Sequence, residues 1–248
     1  MFNSIVVHYG EIALKGKNRS FFEKKLVENI RWNLRNSNII SIKRISGRII
    51  IEINKESKIK EIKEKLQQIF GISYFAFAIK TNLDIEDVKK SSLSLISDNV
   101  KTFRVSTARA NKNFKFSSSE VNNLLGAFIE DNKKLKVDLE EPEQTIYTEI
   151  TDKDIFIYNE KIKSLGGLPV GVSGKVISLI SGGIDSPVAS FYIMKRGCSM
   201  VFVHFFNATI NTKQSLEKVI KLVEVLSKYQ FKTKLYMVID EAIKNFNE

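Results

Sequence analysis

Six consecutive residues, Ser181-Gly182-Gly183-Ile184-Asp185-Ser186, combine residue types suited to holding an anion. Two glycines without Cβ let backbone amides approach closely, and Ser181 and Ser186 add hydroxyl donors. The apolar run Val176–Ile180 precedes them, and a helical pattern from Pro187 to Arg196 follows. Strand, loop and helix N-terminus in that order aim unpaired amides and a partial positive charge at one point. This is a pyrophosphate cradle. It is neither a Walker A loop, since no Gly-Lys is followed by Ser or Thr, nor a dinucleotide GxGxxG. Asp185 is the telling member, because a carboxylate repels phosphate unless a cation bridges them. Mg²⁺ held between Asp185 and a triphosphate resolves the conflict and stabilises a pyrophosphate leaving group. The competing structural reading is a tight Gly-Gly turn whose Ser or Asp caps the next helix.

The elements around the loop follow from periodicity. Val176–Ile180 reads as a strand buried on both faces. Pro187 suits the first helical position, where its missing N–H has no intrahelical partner. Strands at Met200–Phe206 and Leu235–Ile239 flank a helix carrying Leu216, Val219, Ile220, Val223 and Leu226. Alternating strand and helix implies an α/β doubly wound parallel sheet, here incomplete, over 175–248. The segment Lys161–Gly174 holds four glycines and Pro169, and 166–174 reads as a linker.

Upstream the half is α+β. Ile5, Val7 and Tyr9 alternate as in a strand, and Ser20 with Glu23 reads as a capping box for a helix bearing Phe22, Leu26, Ile30 and Leu34. Ile39–Ile45 and Arg48–Ile53 flank Ser46-Gly47 as a hairpin, followed by a helix at Ile59–Ile69 and a strand at Tyr74–Ile79. The order β-α-β-β-α-β is the ferredoxin-like arrangement over 1–75, whose two helices can cover one sheet face. A second small α/β domain spans 76–165. It has Asp84 before one helix, a strand at Thr102–Thr107, a capping box at Ser117–Glu120, and strands at Gln144–Ile150 and Ile155–Tyr158.

The 248 residues carry 39 Lys+Arg against 28 Asp+Glu, a net charge of +11. The excess is concentrated in residues 1–80, at +9, with −2 over 81–170 and +4 over 171–248. A basic front end favours a polyanionic partner such as nucleic acid. Lys15, Lys17 and Arg19 sit in a Gly-rich loop before a helix, placed to reach phosphates. Arg109, Lys112, Phe114, Lys115 and Phe116 interleave cations and aromatics, as single-stranded RNA recognition requires. Each of these also reads as a solvated loop, with Phe116 packing over the next helix. The single cysteine, Cys198, excludes an intramolecular disulfide and points to a reducing, cytoplasmic compartment. With only two histidines, zinc-hydrolase spacings do not exist. No apolar stretch reaches the ~18 residues of a membrane span.

Ser181–Ser186 resembles the SGGxDS loop of PP-loop ATP pyrophosphatases. Pro187-Val188-Ala189, Gly166-Gly167-Leu168-Pro169-Val170-Gly171 and Tyr9-Gly10-Glu11-Ile12-Ala13-Leu14-Lys15-Gly16-Lys17-Asn18-Arg19 narrow the likeness to the tRNA 4-thiouridine synthetases, or tRNA sulfurtransferases. Phe116–Glu120 with Gly126, and Val137–Ile150, resemble a THUMP RNA-binding domain, whose family boundary is often drawn near residue 60. The resemblance implies an enzyme that uses ATP and Mg²⁺ to adenylate uridine 8 of tRNA and replaces its O4 with persulfide sulfur. It also implies a possible role in thiamine thiazole sulfur transfer. Carried over, Ser181, Gly182, Gly183 and Ser186 hold phosphates, Asp185 is the catalytic and metal-holding residue, Leu179 and Ile180 border the nucleotide, and His204 and Phe205 contact adenosine. Without the resemblance, His204 reads as a strand-end histidine facing core or solvent. Implied partners are the tRNA acceptor end, a cysteine desulfurase or other persulfide donor, and a second copy in a homodimer. Cys198, after Gly197 at a strand entry, reads as structural, because the family's persulfide cysteine lies further downstream. The chain reads as C-terminally truncated. Two alternatives stay open: a tRNA-binding module without catalysis, and a PP-loop enzyme acting on another RNA base or a small acid.

Overall fold

The computed structural model describes residues 2–45, 47–206 and 213–239, so Ser46 of the expected turn and the end of the third domain, 240–248, lie outside the described residues. In chain order the first elements are β1 (Ser4–His8), 3₁₀ turns at Glu11–Leu14 and Gly16–Asn18, α1 (Arg19–Asn33), β2 (Ser41–Ile45) and β3 (Arg48–Glu52). Then come α2 (Ile59–Gln67), β4 (Tyr74–Thr81), α3 (Ile85–Ser94), β5 (Thr102–Arg109) and α4 (Ser118–Lys133). Short β6 (Lys136–Val137) and β9 (Ile162–Lys163) bracket β7 (Gln144–Ile150) and β8 (Ile155–Tyr158). The last are β10 (Lys175–Leu179), α5 (Asp185–Lys195), β11 (Ser199–Phe206), α6 (Lys213–Ser227) and β12 (Leu235–Ile239).

The chain divides into two compact units. The first holds 1–7, 38–57 and 75–162. It contains nearly all of a sheet ordered β2-β3-β1-β4-β8-β7-β5-β6. The expected hairpin is present, with β2 and β3 antiparallel and Ile45 opposite Arg48. On this sheet α3 and α4 bury Val88, Val121, Leu125 and Ile129 against Phe103, Val105, Ile146 and Ile157. Both helix starts match their sequence signals. Asp84 accepts from the Glu86 amide, and Ser117 with Glu120 forms the reciprocal capping box.

The second unit holds 8–37, 58–74 and 163–248. It groups α1 and α2 with a three-stranded parallel sheet ordered β10-β11-β12. Trp32 of α1 stacks on Phe231 at 4.1 Å, and Asn29 donates to the Val170 carbonyl at 3.2 Å. Phe70, just past α2, joins a core built from Ile180, Met194, Met200, Phe202, Val219 and Val223. Segment 166–174 is hydrogen-bonded at several points. The Leu168 amide donates to Lys195 O, and the Gly171 amide to Gly197 O. Gly167, at φ +75°, packs so closely that a Cβ would lie 2.3 Å from Lys195 O.

Three local expectations are corrected. Ser20 is not the N-cap of α1, because helical geometry already begins at Arg19, with Asn18 in the N-cap position. Pro187 is the third residue of α5, not the first, though still within the turn whose amides lack intrahelical acceptors. The apolar run at β10 is buried on one face only, with Ile177 and Leu179 more than 60% exposed. Among the described residues, α5 and α6 both pack on the face that carries Ile180, Met200 and Phe202.

Candidate nucleotide and RNA sites

The loop leaves β10 at Leu179, and the Ile180 amide is still held by Val203 O at 2.9 Å. Ser186 Oγ accepts from the Ser181 amide at 3.1 Å, and Ser181 Oγ accepts from the Gly183 amide at 3.3 Å. The two hydroxyls lie 3.3 Å apart. The serines therefore shape the turn while keeping capacity for a ligand. Neither Gly182 nor Gly183 has a left-handed φ, so the backbone conformation does not demand glycine there. What the missing side chains leave is open backbone. Ile184 is the N-cap of α5 without a side-chain cap, and the amides of Asp185 and Ser186 open the helix. First-turn amides have no acceptor inside the helix, so these point out as anion donors.

Asp185 is exposed at that terminus. Among the described residues no group of three or more His, Cys, Asp and Glu could hold a metal ion. A lone carboxylate does not make a resident metal site. It does fit a cation whose other ligands are phosphate oxygens and water, as Mg²⁺ prefers.

His204 is 7% exposed near the end of β11. Its Nδ1 donates to the Ile180 carbonyl at 2.7 Å, which fixes the tautomer and leaves Nε2 as an acceptor. That buried Nε2 has no partner among the described residues. An unpaired buried acceptor costs ~1–3 kcal/mol, so a donor from a ligand would be welcome there. Strand alternation separates the four strand-end residues. Ile180 and His204 share the buried face, whereas Leu179 and Phe205 are exposed on the other, at 63% and 56%. Beside the loop a cleft of ≈ 640 Å³ runs between α5 and α6, lined by Gly182, Gly183, Val188, Tyr192, Lys218 and Leu222. A cleft of ≈ 700 Å³ in the first unit is larger, but its Lys43 and Lys80 are both bonded to Glu52. Cys198 Sγ donates to the Ser173 carbonyl at 3.4 Å, a contact that suits a structural cysteine.

The cations predicted for RNA divide into engaged and available groups. Arg19 donates to Glu23 at 2.8 Å and to the Tyr9 hydroxyl at 2.7 Å, and Tyr9 also bonds Glu23. Burial is the main cause that pushes the Tyr9 phenol above its ordinary pKa, with Glu23 next. Lys15 lies over the Phe22 ring at 5.3 Å, while Lys17 is exposed. Arg109 donates to the carbonyls of Phe114 and Phe116, closing the 110–116 loop. Phe114 and Phe116 meet edge to face at 6.1 Å and pack on the first unit's core. Lys112 and Lys115 project from that loop, Lys115 over the Phe116 ring at 5.3 Å. Sequence reading missed Lys218 beside Gly182, and the Arg196–Glu11 pair at 2.8 Å, which ties the end of α5 to the first 3₁₀ turn. The signal for Lys218 was the absence of Lys and Arg from 176–194.

Three family models match: "ThiI ferredoxin-like domain" over 4–76, "THUMP domain" over 56–160 and "Thiamine biosynthesis protein (ThiI)" over 171–246. A probable tRNA sulfurtransferase of Mycoplasmopsis synoviae is 37% identical over the whole chain, which covers 64% of that relative. One of Caldanaerobacter subterraneus subsp. tengcongensis is 41% identical over 94% of this chain and 61% of its own. The chain thus spans about three fifths of the length of these curated relatives. A 4-thiouridine synthetase crystallised with RNA and bound ATP superposes with a TM-score of 0.85 at 35% identity, over 96% of this chain and 62% of that one. PH1313 of Pyrococcus horikoshii Ot3 gives 0.84 at 32% identity, over 98% of this chain and 80% of that one. Among the described residues no helix is long and apolar enough to cross a membrane.

Proposed function

The chain belongs to the tRNA sulfurtransferase (4-thiouridine synthetase) family, and on that premise we propose that it binds tRNA and uses ATP to activate a uridine for thiolation. The reaction is adenylation of O4 of uridine 8 with release of pyrophosphate. The outer sulfur of a persulfide, delivered by a cysteine desulfurase or another carrier, then attacks C4 and displaces AMP, which leaves with O4, and a thiol takes the carrier sulfur away as a disulfide. The whole protein acts as a homodimer, and the same sulfur relay can serve thiamine thiazole synthesis. The proposed domains are ferredoxin-like over 1–75, THUMP over 76–165, a linker at 166–174 and the PP-loop domain from 175. The overlap of two family models at 56–76 supports an alternative THUMP start near residue 60.

One observation carries the reading: open helix-start amides at 184–186 and the unpaired His204 Nε2 belong to the same loop-and-strand edge. Ligands of open parallel sheets bind beyond the carboxyl ends of the strands, which is where these groups sit. In this reading the amides of the loop and the Ser181 and Ser186 hydroxyls orient the phosphates, Asp185 holds Mg²⁺ against them, and His204 accepts from the nucleoside. Leu179, Ile180 and Phe205 border that space at the strand ends. Mg²⁺, when bound, supplies charge neutralisation at the leaving pyrophosphate. Lys17, Lys112 and Lys115 meet tRNA phosphates, while Arg19 and Arg109 hold the loops that present them.

ATP–pyrophosphate exchange and thiolation by the full-length protein, with Asp185→Ala alongside, test the proposal. Turnover that Asp185→Ala abolishes, on transcripts whose modified base maps to uridine 8, is the expected result. Turnover indifferent to Asp185 would refute the assignment. Modification mapped to another base would redirect it, and salt-sensitive tRNA binding with no exchange would leave a binding module.

A further inference from the structure

The cradle has a charge deficit of its own making. Residues 176–194, which contain the entire loop and most of α5, include no lysine or arginine. A nucleoside triphosphate there would meet Asp185, itself negative, and helix-start amides worth only about half a unit charge. P-loop NTPases answer the same problem with a lysine inside the loop. Here a cation in the lining of the cleft comes from another element. Lys218 on α6 lines the same cleft as Gly182 and Gly183. Its Cδ lies 3.6 Å from the point that a Cβ on Gly182 would occupy. The stem therefore touches the loop at Gly182, and the ammonium is two bonds further on, within reach of a ligand held there. Lys218 is exposed and makes no hydrogen bond or ion pair among the described residues.

We propose that Lys218 is a further nucleotide-binding residue, whose ammonium pairs with the terminal phosphates of a nucleoside triphosphate seated in the Gly182–Gly183 loop. This rests on the loop being an ATP site and names the cation that site lacks. Lys218 acts as a point charge on a flexible stem, so it needs no fixed geometry before the ligand arrives.

Equilibrium binding of ATP and of adenosine to the full-length protein, in Mg²⁺ buffer, tests it with Lys218→Met and Lys218→Arg. Because Lys218 is exposed, neither substitution threatens the fold. Lys218→Met is expected to weaken ATP about ten- to a hundredfold, the worth of a charge-assisted hydrogen bond, and to leave adenosine unchanged. Lys218→Arg is expected to retain most of the ATP affinity. Equal losses for ATP and adenosine would overturn the proposal, since Lys218 would then shape the cleft without touching phosphate. Unchanged ATP affinity in Lys218→Met would overturn it too. Failure of the unsubstituted protein to bind ATP would instead fell the ATP-site reading, and this proposal with it, before any variant is compared.

Discussion

Arg48 at the start of β3 and Glu149 near the end of β7 form an ion pair at 2.7 Å, although β1, β4 and β8 lie between them in the sheet. Strands so far apart meet only if the sheet curls. The concave space is filled by Val6, Ile50, Ala76, Ala78, Phe156 and Tyr158. Ala76 and Ala78 keep the centre of that face thin enough for the two edges to approach. Glu149 is 3% exposed, and its other oxygen accepts from the Tyr158 hydroxyl at 2.7 Å. Arg48→Met removes the ion-pair partner of a buried carboxylate, and such a broken pair costs about 3–5 kcal/mol. The Arg48 side chain is 12% exposed, so some water reaches the site and the lower end, about 3 kcal/mol, is expected. Replacing both charges, Arg48→Met with Glu149→Leu, removes the stranded charge and should recover most of that loss. Urea midpoints, with m-values checked for constancy, give the comparison. Singles that cost less than about 1 kcal/mol, or a double equal to the sum of the singles, would mean that the pair does not close the sheet.

His204→Asn keeps a donor for the Ile180 carbonyl but deletes Nε2. ATP affinity measured calorimetrically should fall about tenfold, one hydrogen bond's worth, and an unchanged affinity would turn the ring away from the ligand. The Ser41 hydroxyl, followed by Lys80 and Lys43, holds Glu52 down to about 2 from an ordinary 4.5. A depressed carboxylate stabilises fully above its unfolded pKa, so this contribution is present above about 4.5 and vanishes as pH falls through about 2. Glu52→Gln should therefore unfold about 1–2 kcal/mol more easily at pH 7, after discounting for solvent screening, and like the unsubstituted protein near pH 2. A deficit that persists at pH 2 would assign the loss to packing.

What was legible in the sequence was whatever a few adjacent residues decide among themselves. The Ser117–Glu120 box formed as read because both its bonds are local. Its twin at Ser20–Glu23 failed because a 3₁₀ turn delivers the chain into α1 already helical, and Glu23 is taken by Arg19 and Tyr9 instead. The run at β10 records that its residues are apolar, not which neighbours cover them, so its open face could not be read. The strands β6 and β9 have two residues each, too few to show a period.

The same division explains the sites. The proposed phosphate loop is drawn from contiguous residues, so 181–186 could be read as a candidate from sequence, whereas cation availability depends on partners distant in sequence. Arg19 and Arg109 looked like RNA contacts by type and position, yet each donates its hydrogen bonds within the protein. Lys218 was signalled only indirectly, by the lack of Lys and Arg in 176–194, and it lies against the loop without a hydrogen-bond or ion-pair partner among the described residues. A guanidinium already committed to a carboxylate and a phenol would have to give up those bonds to take a phosphate, while a solvated ammonium exchanges water for it. On the proposed reading, Arg19 and Arg109 shape their loops, and the exposed lysines Lys17, Lys112, Lys115 and Lys218 carry the charge that would meet phosphate.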